Sequence, residues 1–262
     1  MSFSFNHIGN LGHLGNQMFQ YSFLKGISNK HSRPFKIAPP ETFGSRYNLR
    51  SRFDECFNLT CDRKISSYKI FQEKHFHFDK DLFENPPKDN IDFYGYFQSE
   101  KYFKHIGNEI KKDFTFIPEI FNPSKDLFDS LESSDVISLH IRRDDYVTNP
   151  NHPVQDIEYY INALDLLPKD NIVLVFTDDV QWAKKQQIFS GDRFLISESN
   201  NCFVDMCLMT MCSYHIICNS TFSWWGSWLS NSKKTIAPSN WFGGSLKGYI
   251  TDDIYCEHWK II

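Results

Sequence analysis

A chain of 262 residues with 41% hydrophobic and 23% charged side chains has the make-up of a folded globular protein, one large domain or two small ones. Its net charge of −4 gives no general field for nucleic acid or an anionic membrane, so any anion it binds must be met by a local cluster. No run reaches the roughly 18 apolar residues of a membrane span and residues 1–7 carry no basic segment ahead of an apolar core, so the expected location is cytoplasmic, or peripheral to the inner face of the membrane.

Residues 3–8 read as a first strand, followed by Gly9-Asn10-Leu11-Gly12-His13-Leu14-Gly15-Asn16-Gln17. The glycines suit a tight turn with close backbone approach to a ligand, and Met18, Phe19, Phe23 and Leu24 then recur at helical spacing. The turn is neither a dinucleotide fingerprint, since its glycines fall every third residue, nor a P-loop, since no Gly-Lys-Ser/Thr follows. A plain structural loop is the competing explanation. Residues 33–37 and 91–97 read as strands, with loops and short helices between them. A helix is expected over 99–114, capped by Ser99, with Tyr102, Phe103, Ile106 and Ile110 on one face. The two prolines in 118–124 mark an interdomain connection, which places the domains at 1–122 and 123–262, with the last residues of the second expected as candidates to pack back on the first.

Beyond it the pattern becomes regular. Strands are expected at 136–141, 172–176, 194–196, 215–218 and 234–238, and helices at 156–167, 180–189, 201–212 and 221–229. This alternation indicates an α/β unit of Rossmann type, a parallel sheet covered on both faces, with the first half a degenerate unit of the same kind. Seven cysteines without a Cys-x-x-Cys argue against a zinc knuckle or redox pair; Cys202, Cys207 and Cys212 lie in a segment apolar nearly all round and read as small core residues in a reducing compartment. The 25 Phe are read mainly as core filling.

Polar residues gather where the strands of the second half end. The first delivers His140, Arg142, Arg143 and Asp145, and two guanidiniums at such a place suit a pyrophosphate, although a solvated pair bridging to carboxylates would look the same. The second delivers Asp178 and Asp179, of which one is expected to cap the next helix and the other to accept from a guanine N1–H and amine. Adjacent carboxylates at a strand end point apart, which disfavours a shared metal. The fourth delivers Asn219-Ser220-Thr221-Phe222-Ser223 at a helix start, either an anion site or a plain N-cap. Trp224, Trp225 and Trp228 behind it read as core rather than a sugar platform.

Three segments, Asn219-Ser220-Thr221-Phe222-Ser223-Trp224-Trp225-Gly226, His140-Ile141-Arg142-Arg143-Asp144-Asp145-Tyr146-Val147 and Gly12-His13-Leu14-Gly15-Asn16-Gln17-Met18-Phe19-Gln20-Tyr21, together resemble the α-1,2-fucosyltransferases of glycosyltransferase family eleven. Residues 95–103 and 237–242 are similar to the same family, in the same order along the chain. The resemblance implies a GT-B-like fold of two Rossmann-like domains facing a cleft, the first on the acceptor side and the second binding the donor. It implies GDP-β-L-fucose as donor, a galactose-terminated glycan as acceptor, inversion to an α-linkage, and no metal or other cofactor. By position it assigns Arg142 to the donor pyrophosphate with Arg143 in support, His140 and Asp179 to guanine, Thr221 and Ser223 to phosphate, and Gly15, Asn16 and Gln17 to a loop closing on the donor. Asp178, Asn219, Ser220 and Phe222 join the donor site, and Asp145 joins Arg142 and Arg143 in the catalytic group. For a proton acceptor Asp144, Asp145, Glu41 and Asp54 are all conceivable, and some related enzymes use none. Two positions depart from the family: His13 stands where Gly or Arg is usual and Asp144 where Gly is usual. Another nucleotide sugar on the same scaffold, or nucleotide or glycan binding without turnover, remain open alternatives.

Overall fold

A computed structural model describes residues 1–40, 51–133 and 135–262. The chain forms two compact units, Met1–Ile117 with Ile250–Cys256, and Pro118–Tyr249 with Glu257–Ile262. The seam lies at residue 117, where the sequence suggested 122.

In the first unit β1 (Phe3–Phe5) leads into helix α1 (Leu14–Lys30), then β2 (Phe35–Ile37), β3 (Lys69–Gln72), a short helix α2 (Lys80–Glu84), β4 (Ile91–Tyr94) and α3 (Gly107–Asp113). The four strands are all parallel in the order β2-β1-β4-β3, so their carboxyl ends share one edge and the strand order turns back between β1 and β4. α1 is longer than its apolar spacing suggested because its glycines and small polar residues are buried too; Gly15, Gln17, Gln20, Ser22 and Ser28 all face protein. The Phe surplus is spent here: Phe3, Phe5, Phe19, Phe23, Phe93 and Phe97 are fully buried, and Phe23 lies on Phe97 with ring centroids 3.7 Å apart. Residues 99–114 do not form one helix. Two single 3₁₀ turns precede α3, while Ser99 caps the first turn and Tyr102, Phe103, Ile106 and Ile110 do share a buried face.

The second unit opens with α4 (Pro118–Asp129), in place of the connection expected there. Pro118 is the first helical residue, a position at which proline's missing N–H costs nothing. Next come β5 (Ile137–Ile141), α5 (Ile157–Asp165), β6 (Val173–Thr177), α6 (Val180–Lys184), β7 (Phe194–Ile196), α7 (Cys202–Met211), β8 (Tyr214–Ile216), α8 (Thr221–Leu229), β9 (Lys234–Ala237) and β10 (Lys260–Ile261). The six-stranded sheet is parallel throughout in the order β10-β9-β8-β5-β6-β7. β5 is central and buried at all five positions, which explains its unbroken apolar reading. One face packs Ile137, Leu139 and Ile141 against Tyr160, Ala163 and Leu164 of α5, and the other packs Leu174 and Phe176 against Leu208 and Met209 of α7. Cys207 and Cys212 are buried in this core as expected, but Cys202, at the start of α7, is exposed. No helix among the described residues is long and apolar enough to cross a membrane.

Candidate active site

The second sheet is assembled outward from β5, first through β6 and β7, then in the opposite direction through β8, β9 and β10. In such sheets the segments leaving the two strands at the reversal diverge and leave a crevice at their carboxyl ends. Here those segments are 142–147 and 217–223. They touch: His140 Nδ1 lies 3.2 Å from Cys218 Sγ, the His140 and Phe222 rings are 5.5 Å apart, and Tyr146 Oη donates to the Asn219 carbonyl at 3.1 Å. The reversal point therefore brings together the two segments whose residue types suit a diphosphate.

Arg142, the residue after β5, is 25% exposed and held in a carboxylate cage. Its Nη1 is 2.8 Å from Asp178 Oδ2, its Nη2 is 2.6 Å from Asp145 Oδ1, and Asp144 stands 4.0 Å away. Burial opposes the charge, but Asp178 and Asp145 outweigh burial and hold the guanidinium above its ordinary pKa. Asp178 also accepts the Arg143 N–H at 2.8 Å; burial is the strongest influence on its carboxyl and pushes it up against these partners. Arg143 is tied down differently, Nε to Asp179 Oδ2 at 3.1 Å with its guanidinium 4.2 Å from the Trp182 ring centre. Asp179 is the helix cap, its Oδ1 accepting the Trp182 N–H at 3.0 Å. Capping and Arg143 hold its carboxyl below the usual range. Of the two adjacent carboxylates neither is idle: one caps and the other pairs with Arg142. The guanine role assigned to Asp179 is thus shared with two internal bonds.

α8 begins at Thr221 with Ser220 as its cap, the Ser220 hydroxyl accepting the Phe222 N–H at 3.3 Å. The helix N-terminus is where an anion gains most from unpaired N–H groups and the helix dipole. Several neighbours expected to touch the donor are internal. Asn219 is buried with all its polar atoms engaged: Nδ2 donates to the carbonyls of Pro153 and Trp241, and Oδ1 accepts from Gln155. Ser223 is buried with its hydroxyl donating to the Ser220 carbonyl at 3.4 Å. His140 is only 6% exposed, on a strand covered on both faces, and burial drives its imidazole down to about 3. These three residues shape the segment that leads into Thr221, the first residue of α8. Trp224 and Trp225 are fully buried in the core.

Gly15, Asn16 and Gln17 belong to the first unit and form the opening turn of α1 rather than a loop. Gln17 is wholly buried and its Oε1 accepts the Arg52 N–H at 3.0 Å, so its amide holds the fold together. Asn16 Oδ1 accepts from Gln98 Nε2 at 2.8 Å. His13 is the exposed residue before α1 and its side chain does not cap the helix. Of the conceivable proton acceptors, Asp145 is bound to Arg142, Asp54 is bound to Arg63 at 2.6 Å, Asp144 is 72% exposed, and Glu41 lies outside the described residues. No cluster of three or more His, Cys, Asp or Glu able to hold a metal ion occurs among the described residues.

An alpha-1,2-colitosyltransferase from Escherichia coli is 33% identical over 264 residues, covering 88% of this chain and 90% of that protein. Galactoside alpha-(1,2)-fucosyltransferase 2 of Sus scrofa is 24% identical over 86% of this chain and 70% of its own length. Among solved structures the fucosyltransferase NodZ from Bradyrhizobium superposes with a TM-score of 0.59 at 14% identity, over 87% of this chain and 92% of that one. That likeness fixes the fold as α/β and GT-B-like. The family description Glycosyl transferase family 11 matches residues 3–262. The arginines after β5, the capped start of α8 and the α1 turn all fall inside that match, and the chain belongs to glycosyl transferase family 11.

Proposed function

We propose that this glycosyltransferase moves L-fucose from GDP-β-L-fucose to O2 of a terminal galactose on an acceptor glycan, with inversion to an α-1,2 linkage. The observation that carries the reading is the meeting, at the reversal point of the second sheet, of the end of β5 and the segment after it, which holds Arg142, with the segment that leads into α8. A sugar leaving a nucleoside diphosphate departs when its C1–O bond to the β-phosphate breaks, and the electron pair stays on that phosphate. A charged fork of donors and a helix N-terminus are suited to that growing charge; one preorganised donor of this kind contributes about 3–4 kcal/mol to a barrier. The acceptor hydroxyl forms the new bond to C1 from the opposite face and gives its proton to a base or to solvent. NodZ has been crystallised with GDP and soaked with GDP-fucose, which supports a guanine nucleotide on this fold. Asp179, capping α6 beside Arg143, is the group proposed to meet the guanine amines.

One observation favours a second reading. The Escherichia coli relative is named for colitose, which is fucose without its 3-hydroxyl. The two donors differ by one group, and a site that hydrogen-bonds a hydroxyl rejects an analogue lacking it by about 10⁴–10⁵, whereas a merely apolar pocket discriminates only about 10²-fold.

A donor panel decides the matter. GDP-fucose, GDP-colitose, GDP-mannose and UDP-galactose are each incubated with lactose, N-acetyllactosamine and Galβ1,3 disaccharides, and products are read by mass and linkage analysis. Transfer from GDP-fucose to O2 of galactose is expected. Transfer only from GDP-colitose selects the second reading, and turnover of UDP-galactose alone overturns both. Because cationic side chains and a helix start are proposed to carry the diphosphate, activity should survive EDTA; a strict Mn²⁺ requirement would contradict that.

A further inference from the structure

The Gly95-Tyr96-Phe97-Gln98-Ser99 segment follows β4 at the reversal point of the first sheet, and the donor chemistry above gives it no task. Its backbone is unusual. Gly95 has φ +157°, and a Cβ there would lie 2.3 Å from Glu73 Cβ. Phe97 is a non-glycine residue at φ +51°, a left-handed conformation that costs about 1–2 kcal/mol. Three things hold it. The Phe97 ring is fully buried and stacked on Phe23. Glu73, immediately after β3, accepts the Tyr96 N–H at 2.6 Å on one carboxylate oxygen and the Phe97 N–H at 2.8 Å on the other. Gln20 Nε2 donates to the Gly95 carbonyl at 3.0 Å, and Gln98 Nε2 donates to Asn16 Oδ1, which ties the segment to α1. The outcome is an aromatic side chain, Tyr96, 39% exposed on a loop pinned on both sides, two residues before the buried Gln98 that bonds Asn16.

We propose that this loop is the sugar subsite for the acceptor, with the apolar face of a neutral pyranose ring packed on Tyr96 and its hydroxyls bonded by the half-buried Asn16 amide, which the buried Gln98 orients, and that Glu73 is the positioning residue that sets it. The inference rests on the acceptor being a glycan, as proposed above. Aromatic rings offer a broad apolar face at small cost in side-chain entropy, and amides both donate and accept, as a sugar hydroxyl requires. The adjacent carboxylate makes the loop a poor host for an anionic ligand. No Lys, Arg or His pairs with Glu73 among the described residues; the titratable group facing it is the Tyr102 hydroxyl, itself raised by burial, and Lys74 and His75 follow it in sequence. Burial pushes the Glu73 carboxyl up to about 7, against the two N–H groups that lower it. When it is protonated one oxygen becomes a donor aimed at an N–H, and one of the two bonds holding the loop is lost.

The test uses the whole chain and whichever GDP-sugar turns over, with lactose and N-acetyllactosamine as acceptors. Tyr96→Ala is expected to raise the acceptor KM at least tenfold while the GDP Kd from calorimetry stays within twofold. Glu73→Gln is expected to raise the same KM, to speed amide exchange across residues 95–98, and to abolish an acid limb near pH 7 that wild type shows in kcat/KM for acceptor. An unchanged acceptor KM in Tyr96→Ala overturns the subsite. A wild-type KM in Glu73→Gln, or an equal loss of GDP affinity, overturns the positioning role. If no GDP-sugar is turned over by wild type, the function proposed above fails first and this inference falls with it.

Discussion

Arg142 is the residue whose environment bears most directly on the proposed transfer, because it is already paired. Asp145, 58% exposed, holds Nη2, the corner of the fork proposed above for a phosphate oxygen, while Asp178 holds Nη1 from the adjacent strand end. Solvent screens the Asp145 side of this pair more than the Arg142 side, and on the proposed reading it is Asp145 that a diphosphate displaces. Asp145→Asn should therefore tighten GDP binding two- to tenfold in a titration; weaker binding would mean that Asp145 supports the donor instead of standing in for it. Arg142→Ala should lower kcat about 10²–10³-fold. Retention of a tenth of wild-type turnover would remove Arg142 from the reaction. The sequence singles out this residue because two arginines end an apolar strand, a pattern that a pair bridged to carboxylates shares, and in the structure both are bridged in that way. It could not expose the burial of His140, since a strand covered on both faces has no inside and outside to alternate between. Nor could it show that Asn219 is consumed by partners at Pro153, Gln155 and Trp241, which are distant along the chain.

Among the elements, α8 carries the site and its place is set by what lies beneath it. Gly226 faces α7, and a Cβ at that position would lie 2.7 Å from Met209 Cβ and 2.8 Å from its sulfur. Both atoms are in a fully buried side chain with little room to yield. Gly226→Ala is thus expected to cost about 1–3 kcal/mol and to weaken GDP binding by lifting the start of α8; a thermal melt and a GDP titration check both, and an unchanged GDP Kd would uncouple the packing from the site. The second unit's elements were legible because each strand is bracketed by turn residues and each helix has an apolar stripe. Those missed have local causes. β3 is largely exposed and β10 has two residues, so neither shows a period. α4 was taken for a linker because proline reads as punctuation, although at the first helical position it is favourable.

At the scale of the molecule, acid stability follows from buried titratable groups of opposite sign. His140 and His215 are buried and neutral, their imidazoles pushed by burial from 6.5 to about 3. The unfolded chain binds protons at these two sites before the folded one does, so their contribution is complete above about pH 6.5 and is lost as pH falls toward 3. Glu73 runs the other way: its folded value near 7 exceeds the unfolded 4.5, so its contribution is largest below 4.5 and is lost as pH rises through 7. Burial lowers His105 and His152 in the same direction, whereas it raises the carboxyls of Asp92, Asp178 and Asp205, which start from 3.8 and act mostly at lower pH; over this range the histidines set the sign, and the melting temperature is expected to drop between pH 7 and pH 5. A flat or rising profile over that range would contradict the neutral buried histidines.

The path of the last thirteen residues has a practical corollary. Ile250–Cys256 belongs to the first unit, where Asp253 accepts from the Phe78 N–H and pairs with Lys101, before Glu257–Ile262 returns to supply β10 at the edge of the second sheet. A cut at residue 117 consequently does not yield two whole halves, since the amino-terminal fragment lacks a piece that its partner retains. Expression of the amino-terminal half alone would leave a gap in that unit, and trimming of the tail to aid crystallisation would leave the same gap and also strip β10 from the edge of the second sheet, so permuting the chain preserves more of the fold than shortening it.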